Sequence, residues 1–184
     1  GKGVTDESSA VSTSEFTSIA HNYIAQLLFA INADAVADKA IRAVHNGEKP
    51  VITFYNTMGS AMDNIAKTNG TIPGGAFDGK FGQSLKRAVD NMLSATMEDD
   101  TGNKVRLFFT PRELGVQEEY NDLMALIHVL PEEIPFSPVD WIRYRLEEAG
   151  ISFAELTGRK SYLKYGSDRS ATYERFSAAE KDKN

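Results

Sequence analysis

Cysteine is absent from the 184 residues. Its absence removes disulfides, thiolate nucleophiles and every cysteine zinc site, and agrees with a reducing compartment. No apolar run approaches the ~20 residues a membrane-crossing helix needs, and the polar opening GKGVTDESSAVSTSE lacks the apolar centre of a signal peptide. These absences describe a soluble, cytoplasmic protein, or a nuclear one if the source is eukaryotic, with no membrane partner. There is no GxxxxGK[ST] phosphate loop, no HExxH and no GxSxG. His21, His45 and His128 fall in three separate helical patterns and read as helix-face or helix-end residues, not metal ligands. Glu118-Glu119, Asp99-Asp100 and Glu132-Glu133 are adjacent pairs whose side chains diverge on a helix, so they read as solvated charge rather than an acid/base dyad. The net charge of -6 argues against a wholesale nucleic-acid coat while leaving room for a local basic track.

With 41% hydrophobic and 25% charged residues, the chain can bury one real core, with room for an insertion. Residues 1–14 are rich in Ser, Thr and Gly and read as a flexible lead-in. Phe16, Ile19, Tyr23, Leu27 and Ile31, widened by Ile24 and Leu28, mark an amphipathic helix. A second helix over Ala33 to His45 carries Ala37, Ala40, Ile41 and Val44 and closes at Asn46-Gly47. The β-rich run Val51 to Tyr55 follows, and Asn56-Thr57 interrupts it ahead of a short amphipathic segment. A strand, a polar tip and a helix start are how an α/β domain offers a loop to a ligand.

Residues 68–136 read as a mainly helical insertion. Its turn-rich TNGTIPGGAFDGK is followed by helical patterns over Phe81 to Met97 and Val116 to Leu130, with KVRLFFT as a short strand between them. The last third then returns to an α/β rhythm. Ser137 is placed as N-cap, Pro138 as the first helical residue and Asp140 at N3, with Ile142, Leu146 and Ala149 on one face and Gly150 as the stop. Ile151 to Leu156 reads as a second strand, parallel to the first, so that Thr157-Gly158-Arg159 emerges at the same sheet edge as Asn56-Thr57. Val51, Ile52, Phe54, Ile151, Phe153 and Leu156 are then expected to be buried. Trp141, Phe108 and Phe109 read as packing residues.

AINADAVADKAIRAVHNGEKPVITFYNTMGSAM, followed after the insertion by SPVDWIRYRLEEAGISFAELTGRK, resembles the C-terminal helicase domain of the strawberry-notch family, a superfamily 2 helicase group. The GEKPVI run, the NTM loop and the later ELTGR loop carry the resemblance, over roughly residues 16–67 and 137–175. It implies an α/β fold: a partial, RecA-like (P-loop NTPase-like) second lobe with parallel strands over 15–67 and 137–184, a helical lead-in, and 68–136 inserted. It also implies a parent that is an ATP-dependent DNA or RNA helicase or translocase, of the kind found in methylase-helicase fusions of mobile elements. ATP and magnesium are implied for that parent, and single-stranded or duplex nucleic acid and the first RecA-like lobe are its implied partners. No cofactor is expected for this chain alone. It lacks the phosphate loop and acidic magnesium box of a first lobe and stops at Asn184, before the segment that supplies the family's arginine, so it is not expected to turn over ATP by itself.

The residues expected to contact nucleic acid are Asn56, Thr57, Thr157, Gly158, Arg159 and Lys160. Thr57 suits either a phosphate contact at the following helix start or an ordinary N-cap. Gly158 permits close backbone approach, and Arg159 is either a forked cation for phosphate or an exposed strand end. Between Leu156 and Arg175, Arg159, Lys160, Lys164, Arg169 and Arg175 face only Asp168 and Glu174, with Tyr162, Tyr165 and Tyr173 interleaved. That pattern suits a single-stranded backbone or a solvated charged face. A different class of function, a non-catalytic α/β protein-interaction module, stays open beside the helicase reading.

Overall fold

The computed structural model describes residues 21, 24–98 and 102–177. The lead-in over 1–14 and the first turns of the helix expected from Phe16 lie outside them. The chain forms two compact units, one built on Leu85–Leu130 and the other on Gln26–Ser84 together with the described residues from Pro131 onward. No described helix is long and apolar enough to cross a membrane.

In the second unit, helical residues 26–31 (α1) lead into α2, Ala33–His45. Leu27 and Ala30 turn inward, whereas Leu28 and Ile31, expected on the same face, are exposed. The buried face of α2 is Ala33, Ala37 and Ala40. Small side chains let α2 lie close on α6, Pro138–Glu148, and the two helices pack together. Helix α6 starts as the sequence indicates. The Ser137 hydroxyl accepts the Asp140 N–H at 3.4 Å, Pro138 occupies the first turn, and Gly150 ends the helix at φ 68°, a conformation glycine adopts without the Cβ penalty.

Asp34 at the start of α2 accepts hydrogen bonds from the Trp141 indole at 2.8 Å and from the guanidiniums of Arg145 and Arg169. Arg169 also lies 4.2 Å above the Trp141 ring, so one carboxylate ties α2 to α6 and to the hairpin beyond. Burial pushes the Asp34 carboxyl up, but these three donors outweigh it and hold the group below its ordinary value.

The sheet of this unit is antiparallel, in the order β1 (Ala76–Phe77), β5 (Ala171–Arg175), β4 (Ser161–Tyr165). Along β4, Ser161, Leu163 and Tyr165 are buried while Lys164 is exposed, the period-two alternation of a sheet with one covered face. Helix α6 covers β4, as does α3, Gly59–Thr68. Asp63 of α3 accepts the hydroxyls of Ser161 and Tyr173, which pins α3 to both strands. Phe77, Phe81, Phe136 and Tyr173 stack next to one another to complete the core.

The expected parallel strands are not formed. Val51–Tyr55 and Ile151–Leu156 belong to no ladder, and both sheets of the described residues are antiparallel. Burial departs accordingly: Val51 is 87%, Leu156 83% and Phe153 39% exposed, and Ile52, Phe54 and Ile151 are half-buried. The physical reason is that a strand exists only with a hydrogen-bonded neighbour, and β-propensity in VITFY and ISFAEL supplies none. From Ser161 on, the basic-aromatic run forms the β4–β5 hairpin, with Tyr165 and Tyr173 turned into the core.

The helical pattern from Phe81 ends at Met92 (α4, Phe81–Met92) rather than Met97, and from Leu85 on it belongs to the first unit. The following residues form the antiparallel hairpin of β2 (Ser94–Glu98) and β3 (Lys104–Phe108), and the KVRLFFT run supplies β3. Helix α5, Gln117–Val129, follows the sequence pattern, with Val116 and Leu123 buried beside it. Phe108, read as a packing residue, is 72% exposed.

Candidate nucleic-acid interface

Both polar loops singled out in the sequence lie in the second unit, and they meet. After Tyr55 the chain turns at Asn56, whose side-chain oxygen accepts the Met58 N–H at 2.8 Å while its carbonyl accepts from Gln26 of α1 at 3.0 Å. Met58 is held at φ 57°, in the left-handed region that non-glycine residues avoid, with its side chain buried. This brings Gly59 to the head of α3. No side chain caps that helix, and its first turn holds no acidic residue. Thr57, a candidate N-cap in the sequence, is not the cap; Met58 occupies that position. The uncapped first-turn N–H groups and the helix dipole favour an anion. Gly59 packs against the second loop so closely that a Cβ there would sit 3.1 Å from the Cβ of Arg159.

Arg159 is not the exposed cation that the sequence suggests. Its side chain is 1% exposed and its guanidinium is engaged by two carboxylates. Nε and Nη2 make a forked pair with Glu155 at 2.5 and 2.7 Å, and Nη2 also lies 2.6 Å from Asp140 of α6. The contact with Asp140 is an ion pair rather than an aligned hydrogen bond, since Oδ1 and the Arg159 Nη1 both lack a well-directed hydrogen-bonding partner. Asp140 is fully buried, and its other oxygen accepts the Leu163 N–H at 2.8 Å.

Burial drives the Asp140 carboxyl above its ordinary value, against the pull of Arg159 and the Leu163 amide. At Glu155 burial acts in the same direction, but the Arg159 fork and the Thr157 hydroxyl, 2.6 Å away, prevail and lower the group. Burial lowers Arg159 and the two carboxylates raise it, with a net rise, so the guanidinium stays charged at any working pH.

Beside this ion pair lies an open cavity of about 480 Å³, lined by Glu155, Leu156, Thr157, Gly158, Arg159, Lys160 and Phe176. Lys160 and Gly158 are exposed on it. Gly158 has no left-handed φ, and a Cβ built on it meets nothing within 4 Å, so neither conformation nor packing demands glycine there. Phe176 is fixed on the other side by its N–H, which donates to the Lys160 carbonyl at 3.1 Å.

The six candidate residues therefore fall into distinct positions. Asn56, Thr157, Gly158 and Lys160 are exposed, Thr57 is half-buried, and Arg159 is inside. Asp140, Glu155 and Phe176 complete the site without having been singled out for it. Glu155 opens the ELTGR motif and stands four residues before Arg159, the spacing that brings their side chains together; nothing local marks Asp140 or Phe176 as its neighbours. Among the described residues, no group of three or more His, Asp or Glu side chains gathers to hold a metal ion.

Comparison of the chain with protein-family models, with curated proteins and with solved structures finds no match to any of them.

Proposed function

We propose that this chain is the nucleic-acid-contacting part of a RecA-like second lobe of an ATP-dependent helicase or translocase, and that loops 56–59 and 157–160 hold a sugar-phosphate backbone. The observation that carries this reading is the meeting of the two loops. An uncapped helix start, Gly59, abuts the loop that bears Gly158 and Lys160 beside an open cavity. Amides at a helix start, an approachable backbone and a lysine on the rim position a phosphate chain without reading bases. In this reading the runs 51–55 and 151–156 become strands when the parent's neighbouring strands lie against them. ATP and magnesium then belong to the site that the parent's two lobes share, and this chain alone does not turn over ATP. The parent works inside the cell, with the first lobe and nucleic acid as partners.

A salt titration of single-stranded oligonucleotide binding tests the proposal. Lys160 is the residue to change, because Arg159 serves the interior. Lys160→Ala should weaken binding about equally for different base sequences and lower the slope of log affinity against log salt by roughly 0.7, one phosphate contact on a single strand. An unchanged slope and affinity in a protein with wild-type melting would reject it. A protein-interaction module is the second reading, favoured by the exposed Val51, Tyr55 and Leu156. Absence of oligonucleotide binding at low salt would turn the assignment to that reading.

A further inference from the structure

We propose that the cavity beside residues 155–160 seats one nucleotide base, with the ring of Phe176 as its stacking face. The inference rests on the nucleic-acid reading above and goes beyond it, because backbone contacts alone require no aromatic surface. Phe176 is immobilised from several directions. Its N–H is bonded to Lys160, the Tyr162 ring lies 4.6 Å away, and the guanidinium carbons of Arg143 and Arg159 lie 5.5 and 5.4 Å from its centroid. A half-buried ring held this way presents a fixed surface to the cavity it lines. Fixed aromatic faces bind bases with little regard to identity, because every base has a π-face.

Gly158 is compatible with the same ligand. Its lack of any folding requirement distinguishes it from Gly59, whose missing Cβ is demanded by Arg159. A side chain at position 158 would project into open space beside the cavity, so glycine there keeps room for a group that approaches the backbone. Lys160, exposed on the rim, gives the cavity the cation that a base-bearing phosphate chain seeks. At about 480 Å³ the space lies within the range of small-ligand sites. An aromatic ring, an open backbone and a cation lining one cavity describe a nucleotide unit of a single strand better than an apolar peptide side chain.

The probe is a single-stranded thymine 12-mer carrying one central 2-aminopurine, whose fluorescence is quenched by stacking, with a fully abasic 12-mer as control. The intact chain should quench the probe and bind it about tenfold or more tightly than the abasic strand. Phe176→Leu should abolish most of the quenching and that preference, while the salt slope, which reports Lys160, stays unchanged. Gly158→Val, made where an added Cβ meets no atom within 4 Å, should block the quenching, and once its melting temperature shows it folded it decides the matter if Phe176→Leu does not fold. Salt-dependent binding with no quenching by the intact chain, or quenching unaltered in folded variants, would overturn the base seat and leave the backbone reading standing. No binding of either strand at low salt would overturn both.

Discussion

The Asp140 carboxylate and the Arg159 guanidinium lie 2.6 Å apart with both side chains withdrawn from solvent, 0% and 1% exposed. The pair joins the first turn of α6 to the loop that bears Gly158 and Lys160, and through the Leu163 amide it also holds β4. Removing one partner from such a pair strands a buried charge, which costs about 3–5 kcal/mol. Arg159→Ala should therefore lower stability by about that amount in urea unfolding followed by the fluorescence of Trp141, the single tryptophan. Neutralising the second carboxylate partner while keeping an acceptor for the Leu163 N–H, Arg159→Met with Asp140→Asn, should recover part of the loss, Glu155 still lacking its fork. A cost below about 1 kcal/mol for Arg159→Ala would mean that the pair is not formed in solution.

Glu155 sets a pH dependence with a definite sign. Its folded-state carboxyl titrates below the ordinary 4.5, since the Arg159 fork and the Thr157 hydroxyl overcome burial. A group depressed by folding contributes stability that is present above its unfolded value and lost as pH falls through the folded one. Asp140, raised by burial, acts in the opposite sense: its contribution is greatest below its unfolded value and declines as pH rises. Thermal melting of the intact chain should fall as pH drops below 4.5, with Asp34, also held low, adding to the fall. Glu155→Gln should melt lower at pH 7 and show a shallower acid limb. An acid limb as steep as that of the intact chain would remove Glu155 from the account.

The two loop glycines should respond differently to the same substitution. Gly59→Ala places a methyl 3.1 Å from the Arg159 Cβ, in a spot where the neighbour is a buried, doubly paired side chain with little room to yield. Overpacking of this kind costs about 1–3 kcal/mol, of which better helix propensity returns up to about 1. Gly158→Ala meets nothing and should stay within about 0.5 kcal/mol of the parent. Equal effects at both positions in chemical denaturation would contradict the packing of loop 157–160 on α3.

Elements encoded by neighbours in sequence are legible in the sequence itself. Ser137, Pro138 and Asp140 announce α6 because a cap is a contact over three residues, and Gly47 and Gly150 end helices because their φ is positive. The NTM and TGR loops meet through Gly59 and Arg159, not at the shared edge of a parallel sheet expected from the sequence, because that ladder is missing. Strand pairing was not legible, because it depends on which distant segment offers a matching row of amides. VITFY has the composition of a strand and stays unpaired, while the lysine-bearing SYLKY finds β5 and buries Leu163 and Tyr165. The role of Arg159 was decided only in three dimensions. Its sequence context is the same whether it faces solvent or not, and it is the arrival of Asp140 from α6 and the backward reach of Glu155 that offset the cost of drawing a guanidinium out of water.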